Sequence, residues 1–178
     1  ANVQELVHQL FGDAKVVRAD DSSQPVQSLR TENRKVENGK RLPLLEKLVK
    51  EPVEGGTILF VNTREQCDQL AEEMGKLGAT YSLYRGEMEK VERRKNLRAF
   101  RDGEASFLIA TDLAARGLDV PHVNRVVNYH LPRELDNYIH RAGRTARAGR
   151  AGTVINFVTE RDEPLLKKLA ARDQGAEE

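Results

Sequence analysis

The 178-residue sequence predicts an α/β fold on a mostly parallel sheet with right-handed crossovers. Three observations carry this. Thr57–Val61 is a short, continuously apolar run, the pattern of a strand buried on both faces. Cys67, Leu70, Ala71 and Met74 follow at i, i+3, i+4 and i+7, so a helix packs back onto that strand. Strand-like and helix-like stretches then keep alternating to the end of the chain.

The elements follow in order. Val3, Leu6, Val7, Leu10 and Phe11 sit at helical spacing, so Asn2–Phe11 reads as a short amphipathic helix stopped by Gly12 and Asp13. Val16 and Val17 form a short apolar pair, and Asp20–Pro25 a polar turn. Val26–Arg34 carries β-tolerant residues and reads as an edge strand. Leu42, Leu45, Leu48 and Val49 mark a helix ended by Pro52, Gly55 and Gly56. After Thr57–Val61, Thr63 and Gln66 have the spacing of a capping box. Thr80–Tyr84 is the next strand, Met88–Arg101 a basic helix, Ala105–Ala110 a strand and Leu113–Arg116 a helical turn. Val123–Tyr129 is a strand, Arg133–Arg141 begins a helix, Gly152–Val158 is the last strand and Glu163–Arg172 the last helix.

Composition narrows the class. Apolar residues make up 39% and charged residues 32%, the balance of a globular domain, and no apolar run is long enough to cross a bilayer. The formal net charge is only +1, so affinity for nucleic acid has to come from a local patch. One cysteine, Cys67, allows neither a disulfide framework nor a cysteine-based zinc site, and its apolar helix face makes it core. His8, His122, His130 and His140 lack metal-ligand spacing, and no metal site is expected within this chain. A reducing cytosolic or nuclear compartment is expected. Ala1 standing in mid-pattern and the polar Gln174–Glu178 end lead to the expectation of an excised piece.

Parallel α/β folds bind ligands in loops beyond the carboxyl ends of their strands. Those loops here are Asn62-Thr63-Arg64, Arg85-Gly86-Glu87, Thr111-Asp112 and Arg116-Gly117-Leu118-Asp119. The next helix leads into Arg141, Arg144, Arg147 and Arg150, spaced every third residue with small residues and no acid between them. A guanidinium stays charged and matches phosphate oxygens two bonds at a time, so this stretch reads as a phosphate-facing comb, against a solvated basic loop. Other residues carry paired readings. Thr111 either caps the turn after its strand or hydrogen-bonds a phosphate. Asp119 is a turn residue or an acceptor for a ribose hydroxyl. Arg93 shares a helix with Lys90, Arg94, Lys95, Arg98 and Arg101, which could simply solvate its face.

Taken in order, these motifs resemble the second RecA-like domain of a DEAD-box RNA helicase of superfamily 2. Ile58–Arg64, then Gly86-Glu87-Met88 with Arg93, then Ala110-Thr111-Asp112-Leu113-Ala114-Ala115-Arg116-Gly117-Leu118-Asp119-Val120, then His140-Arg141-Ala142-Gly143-Arg144-Thr145-Ala146-Arg147 carry the resemblance. It implies a three-layer RecA-like domain over residues 26–172, with helices on both sheet faces, a helix-and-linker segment before it (1–25) and a polar tail after it (173–178). It implies that Arg144 and Arg147 act as arginine fingers on the γ-phosphate of ATP, and that Asp119 binds the ribose, with Gly117 beside it. Thr63, Arg64, Gly86, Arg93 and Thr111 would hold the RNA sugar-phosphate backbone. Arg116, His140 and Arg141 would couple the two sites. Mg2+ and the phosphate loop would belong to an N-terminal RecA-like domain, since no Gly-x-x-x-x-Gly-Lys-Ser/Thr and no Asp-Glu-Ala-Asp run occurs here. This chain alone would then be inactive. No membrane partner is expected, and oligomeric state is left open. Four positions depart from the family pattern: Arg85 for histidine, Glu87 for aspartate, Lys90 for glutamine and Ala146 for glycine. Two alternatives stand beside this reading: a half-domain of a superfamily-2 DNA helicase or remodeller, and a catalytically silent RecA-like interaction module.

Overall fold

The computed structural model describes residues 15–19, 27–146 and 151–175. A seven-stranded sheet forms the middle layer. Its strands are β1 (Lys15–Ala19), β2 (Gln27–Lys35), β3 (Gly56–Phe60), β4 (Tyr81–Tyr84), β5 (Phe107–Ala110), β6 (Val123–Asn128) and β7 (Gly152–Val158). They lie in the order β1-β2-β7-β6-β3-β5-β4. Only β1 and β2 are antiparallel; β2 to β7 are mutually parallel. The strand expected at the sheet edge, Val26–Arg34, is thus covered: β2 pairs with β7 on one side and β1 on the other. The segment expected as helix and linker contributes β1, built on the Val16–Val17 pair. The expected helix over Asn2–Phe11 lies outside the described residues.

Six helices flank the sheet among the described residues: α1 (Leu42–Lys50), α2 (Arg64–Lys76), α3 (Lys90–Arg101), the single turn α4 (Asp112–Ala115), α5 (Leu135–Ala142) and α6 (Glu163–Gly175). The period-2 alternation of buried strands splits the core in two. Leu59 and Val61 pack with Leu45 and Leu48 of α1 and with Cys67, Leu70 and Met74 of α2. Ile58 and Phe60 pack on the opposite face with Phe100 of α3, Tyr138 of α5 and Leu165 and Leu166 of α6. That is the three-layer arrangement expected. Thr63 caps α2 in a full capping box: its hydroxyl accepts from the Gln66 amide, and Gln66 reaches back to the Thr63 amide.

The topology decides where ligands go. β3 sits between β5 and β6, and the chain passes from one side of it to the other. Such a reversal opens a crevice at the carboxyl ends of the strands. A cleft of about 390 Å³ lies there, lined by Phe60 at the end of β3, by Asp112, Leu113 and Ala115 to Gly117 after β5, and by Asn137, His140, Arg141 and Arg144 on and after α5.

Candidate functional site

The arginine comb divides on folding. Arg141, expected to face a phosphate, is buried to 1% exposure, and Ala142, Thr145 and Ala146 are buried beside it. The reason is geometric. Three-residue spacing follows one helical face only while the helix lasts, and α5 ends at Ala142. Thr145 then turns inward and its hydroxyl donates to the Val123 carbonyl at 2.8 Å. Arg144 remains at the cleft wall, half-buried, its Nη1 donating to the Leu118 carbonyl at 2.5 Å and its Nε to the His140 carbonyl. Arg147 and Arg150 lie outside the described residues.

Arg141 is the hub. A guanidinium has five N–H donors, and each finds an oxygen. Nε and Nη2 grip the two Asp112 carboxylate oxygens at 2.7 and 2.6 Å. Nη2 also donates to Asn62 Oδ1 at 2.6 Å, and Nη1 to Asn128 Oδ1 at 2.9 Å and the His130 carbonyl at 2.8 Å. The Phe60 ring lies beneath, 5.1 Å from the guanidinium carbon. The bidentate pair with Asp112 fixes direction as well as charge. Nearby, burial and then the Arg41 and Arg141 charges push the His130 imidazole down to about 4.

The remaining candidates fall into two groups along one rim. On the cleft side, Gly117 takes φ +75°, a left-handed turn that lets the chain fold back after α4. Arg116, Gly117 and Asp119 are exposed there. The Asp119 carbonyl accepts from Arg101 at 2.8 Å. His140 is exposed at the cleft and lends Arg144 its carbonyl. On the other side stand the loops after β3, β5 and β4. Thr63 and Arg64 are exposed at the start of α2, Gly86 is exposed after β4, and Arg93 is half-buried on α3. Leu113, 75% exposed, approaches Gly86. Thr111 occupies the N-cap position of α4, yet its hydroxyl makes no capping bond, so the capping explanation for this residue is not realised. Arg85 lies 3.1 Å from Asp68, misaligned for a hydrogen bond, and its Nε is buried without a partner. No three His, Cys, Asp or Glu side chains gather as a metal-binding group among the described residues. Burial raises the Cys67 thiol to about 11, as its core position demands.

Sequence reasoning passed over Asp112, Asn128 and Asn156 as site residues. A signal was present for two of them. Asn128 and Asn156 interrupt apolar strand runs, and a buried amide implies a polar partner.

The parallel sheet thus carries an arginine-lined cleft at its switch point and a second polar rim beside it. The family described as the helicase conserved C-terminal domain matches residues 40–149. Eukaryotic initiation factor 4A of Caenorhabditis elegans is 47% identical over 112 residues, covering 63% of this chain and 28% of that protein. The chain thus spans about 28% of the length of the curated relatives it matches. The E. coli DEAD-box protein SrmB, solved bound to regulator of ribonuclease activity A, superposes with a TM-score of 0.71 at 39% identity. That match covers 78% of this chain and 81% of the other. S. cerevisiae Dbp5 bound to RNA and ADP BeF3 gives 0.71 at 31% identity, covering 78% and 37%. The chain belongs to the helicase C-terminal domain family, as the C-terminal RecA-like domain of a DEAD-box protein.

Proposed function

We propose that this domain is the second half of an ATP-dependent RNA helicase, closing on an N-terminal RecA-like domain around ATP and RNA. The observation that carries this is the grip of Arg141. It holds Asn62 and Asp112, each the immediate neighbour of a proposed RNA contact, Thr63 and Thr111. Three residues further on, just past the end of α5, stands Arg144 at the cleft. A shift of α5 as a phosphate engages Arg144 therefore moves the two loops that hold RNA. A solved relative, Dbp5, carries RNA and ADP BeF3 together.

The residues fit a nucleoside triphosphate. Arg144, with Arg147, neutralises charge developing on the γ-phosphoryl oxygens, and a finger that arrives only on domain closure makes hydrolysis depend on closure. Asp119 accepts from the ribose hydroxyls beside Gly117, whose open turn leaves room for the sugar. Arg116 and His140 line the path between cleft and rim. Bound ATP with Mg2+ supplies the activated phosphoryl group, the ion being held mainly by the N-terminal domain. The Thr111 hydroxyl, unused as a cap, donates to an RNA phosphate, and Thr63, Arg64, Gly86 and Arg93 extend that backbone contact. Phosphate contacts position without reading sequence, so binding weakens with salt and varies little with base order. This chain alone turns over no ATP.

The test is hydrolysis by the full-length protein with single-stranded RNA or single-stranded DNA of the same sequence. RNA is expected to stimulate and DNA not to, because the 2′-hydroxyl distinguishes them. Equal stimulation would make the protein a DNA helicase or remodeller. No hydrolysis with either would leave an interaction module.

A further inference from the structure

A row of asparagines crosses the sheet beneath α5. Strand register places Asn33 of β2 level with Asn156 of β7, and Asn156 level with Asn128 of β6. Asn128 is in turn level with Phe60 of β3, the ring under the Arg141 guanidinium. Parallel strands in register present level residues to the same face, so the row forms one polar line through an apolar layer. Asn128 and Asn156 are fully buried.

The hydrogen bonds along the row run one way. Arg141 can only donate, so Asn128 must turn Oδ1 toward it. The Asn128 amide nitrogen then donates to Asn156 Oδ1 at 2.8 Å. Asn156 spends both of its amide hydrogens, on Asn33 Oδ1 at 2.8 Å and on the Tyr138 hydroxyl oxygen at 3.0 Å. Tyr138 and Arg141 are both on α5, three residues apart and on the same face. The row therefore leaves α5 at Arg141, crosses two strands and returns to α5 at Tyr138. It fixes the helix at two points one turn apart. A single tether would let α5 rock on the sheet; two oppose rocking and sliding.

We propose that Asn128, Asn156 and Tyr138 are positioning residues that set the pitch of α5 on the sheet and so aim Arg144 at the cleft. This rests on the helicase reading above. It gives a reason for placing polar groups where leucines would pack, since buried amides cost stability unless all their bonds are made. None of the three touches the cleft: its lining includes Asn137, His140, Arg141 and Arg144 but not these residues. Their effect on hydrolysis has to travel through α5.

The experiment uses the full-length protein, with kcat and KM for ATP at saturating RNA, nucleotide-free RNA affinity and the melting midpoint measured together. Asn156→Leu, with the same branching and number of heavy atoms, removes the tether at Tyr138 and strips Asn128 of its partner on β7. It is expected to lower kcat per folded molecule on the order of ten-fold, because small misplacements of a charge-stabilising group are costly. KM for ATP and RNA affinity should stay within about two-fold, since no binding contact is removed. Asn128→Asp keeps the branched shape and still accepts from Arg141, so the tether at Arg141 survives. It should hold kcat within about three-fold of wild type, whereas Asn128→Leu should behave as Asn156→Leu. Tyr138→Phe, the mildest change, covers the case in which a leucine variant does not fold; a drop of about two-fold in kcat at constant KM is expected. If these variants melt earlier but keep wild-type kcat, the row serves only core packing and the proposal is overturned. Loss of kcat and KM together, with RNA affinity also reduced, would equally overturn it. Wild-type protein lacking RNA-stimulated hydrolysis would instead remove the helicase reading.

Discussion

Arg141 and Arg144 are the same residue type three positions apart, and the fold uses them in opposite ways. Arg141 is enclosed, with all five donors committed to Asp112, Asn62, Asn128 and the His130 carbonyl. Arg144 is half-buried at the cleft and rests on two backbone carbonyls, those of Leu118 and His140. The Asp112 carboxylate already neutralises Arg141 inside the fold, whereas Arg144 stands on the wall of the cleft, where an arriving phosphate can meet it. A buried ion pair with bidentate geometry holds the fold together, and an arginine at the cleft wall is within reach of a ligand.

The contrast is sharpest in turnover. Arg144→Ala in the full-length protein is expected to lower kcat on the order of a thousand-fold, as loss of an arginine finger does. That is about 4 kcal/mol of barrier. Its folding stability should move by only about 1–2 kcal/mol, because a half-buried side chain bonded to backbone carbonyls is removed. Steady-state hydrolysis beside a denaturant melt checks both. A variant that keeps near wild-type kcat would make Arg144 an ordinary basic residue.

Arg141→Met inverts the pattern. Removing the guanidinium strands a carboxylate and several acceptors, which costs about 3–5 kcal/mol when the remaining charge is fully buried. Asp112 keeps 31% of its side-chain exposure, so about 3 kcal/mol is expected, read from the shift in urea midpoint. A loss under about 1 kcal/mol would show that the hub is dispensable.

His130, whose carbonyl serves the hub, extends the comparison to pH. Its folded value of about 4 lies below the ordinary 6.5, because burial and the Arg41 and Arg141 charges disfavour a third cation. The unfolded chain therefore binds the proton first. Stability is unaffected above pH 6.5 and falls as pH drops from 6.5 towards 4. His130→Asn should flatten that part of the profile relative to wild type. The difference between the two proteins isolates the imidazole from Glu51 and Asp162, which shift in opposite directions. Parallel wild-type and variant profiles between those limits would contradict it.

Much of this was legible in the sequence, and the misses have a common cause. Gly152–Val158 was located to the residue, and the Thr63–Gln66 capping box and the buried Cys67–Leu70–Ala71–Met74 stripe follow from local spacing. Local patterns report local structure. The inward turn of Arg141 depends on Asp112, Asn62 and Asn128, drawn from three strand ends, and no spacing along one segment encodes that meeting. Three-residue periodicity makes four arginines look equivalent, because spacing does not report where the helix ends. The covering of β2 by β1 was hidden for the same reason: a five-residue strand containing a single Val–Val pair has little signal of its own until it is paired.

The smallest predicted effect lies where the comb turns inward. Ala146 stands where the family pattern has glycine, and it takes φ +57°, left-handed. It is also buried, with the start of β7 so near that a side chain on Gly152 would strike the Ala146 amide. An L-residue in this conformation carries roughly 1–2 kcal/mol of strain, which glycine would release. Glycine would also lose a buried methyl, about 0.8 kcal/mol, and add about 0.5–1 kcal/mol of unfolded-state entropy. These oppose each other, so Ala146→Gly should leave stability within about 0.5 kcal/mol of wild type. Ala142 supplies the control: it is equally buried, four residues earlier, in the regular helix α5. Ala142→Gly has no strain to release and should cost about 1.5 kcal/mol. Denaturant melts of the two variants separate these outcomes. Equal losses would mean that Ala146 adopts ordinary backbone angles and that the turn leading to Arg147 is not left-handed.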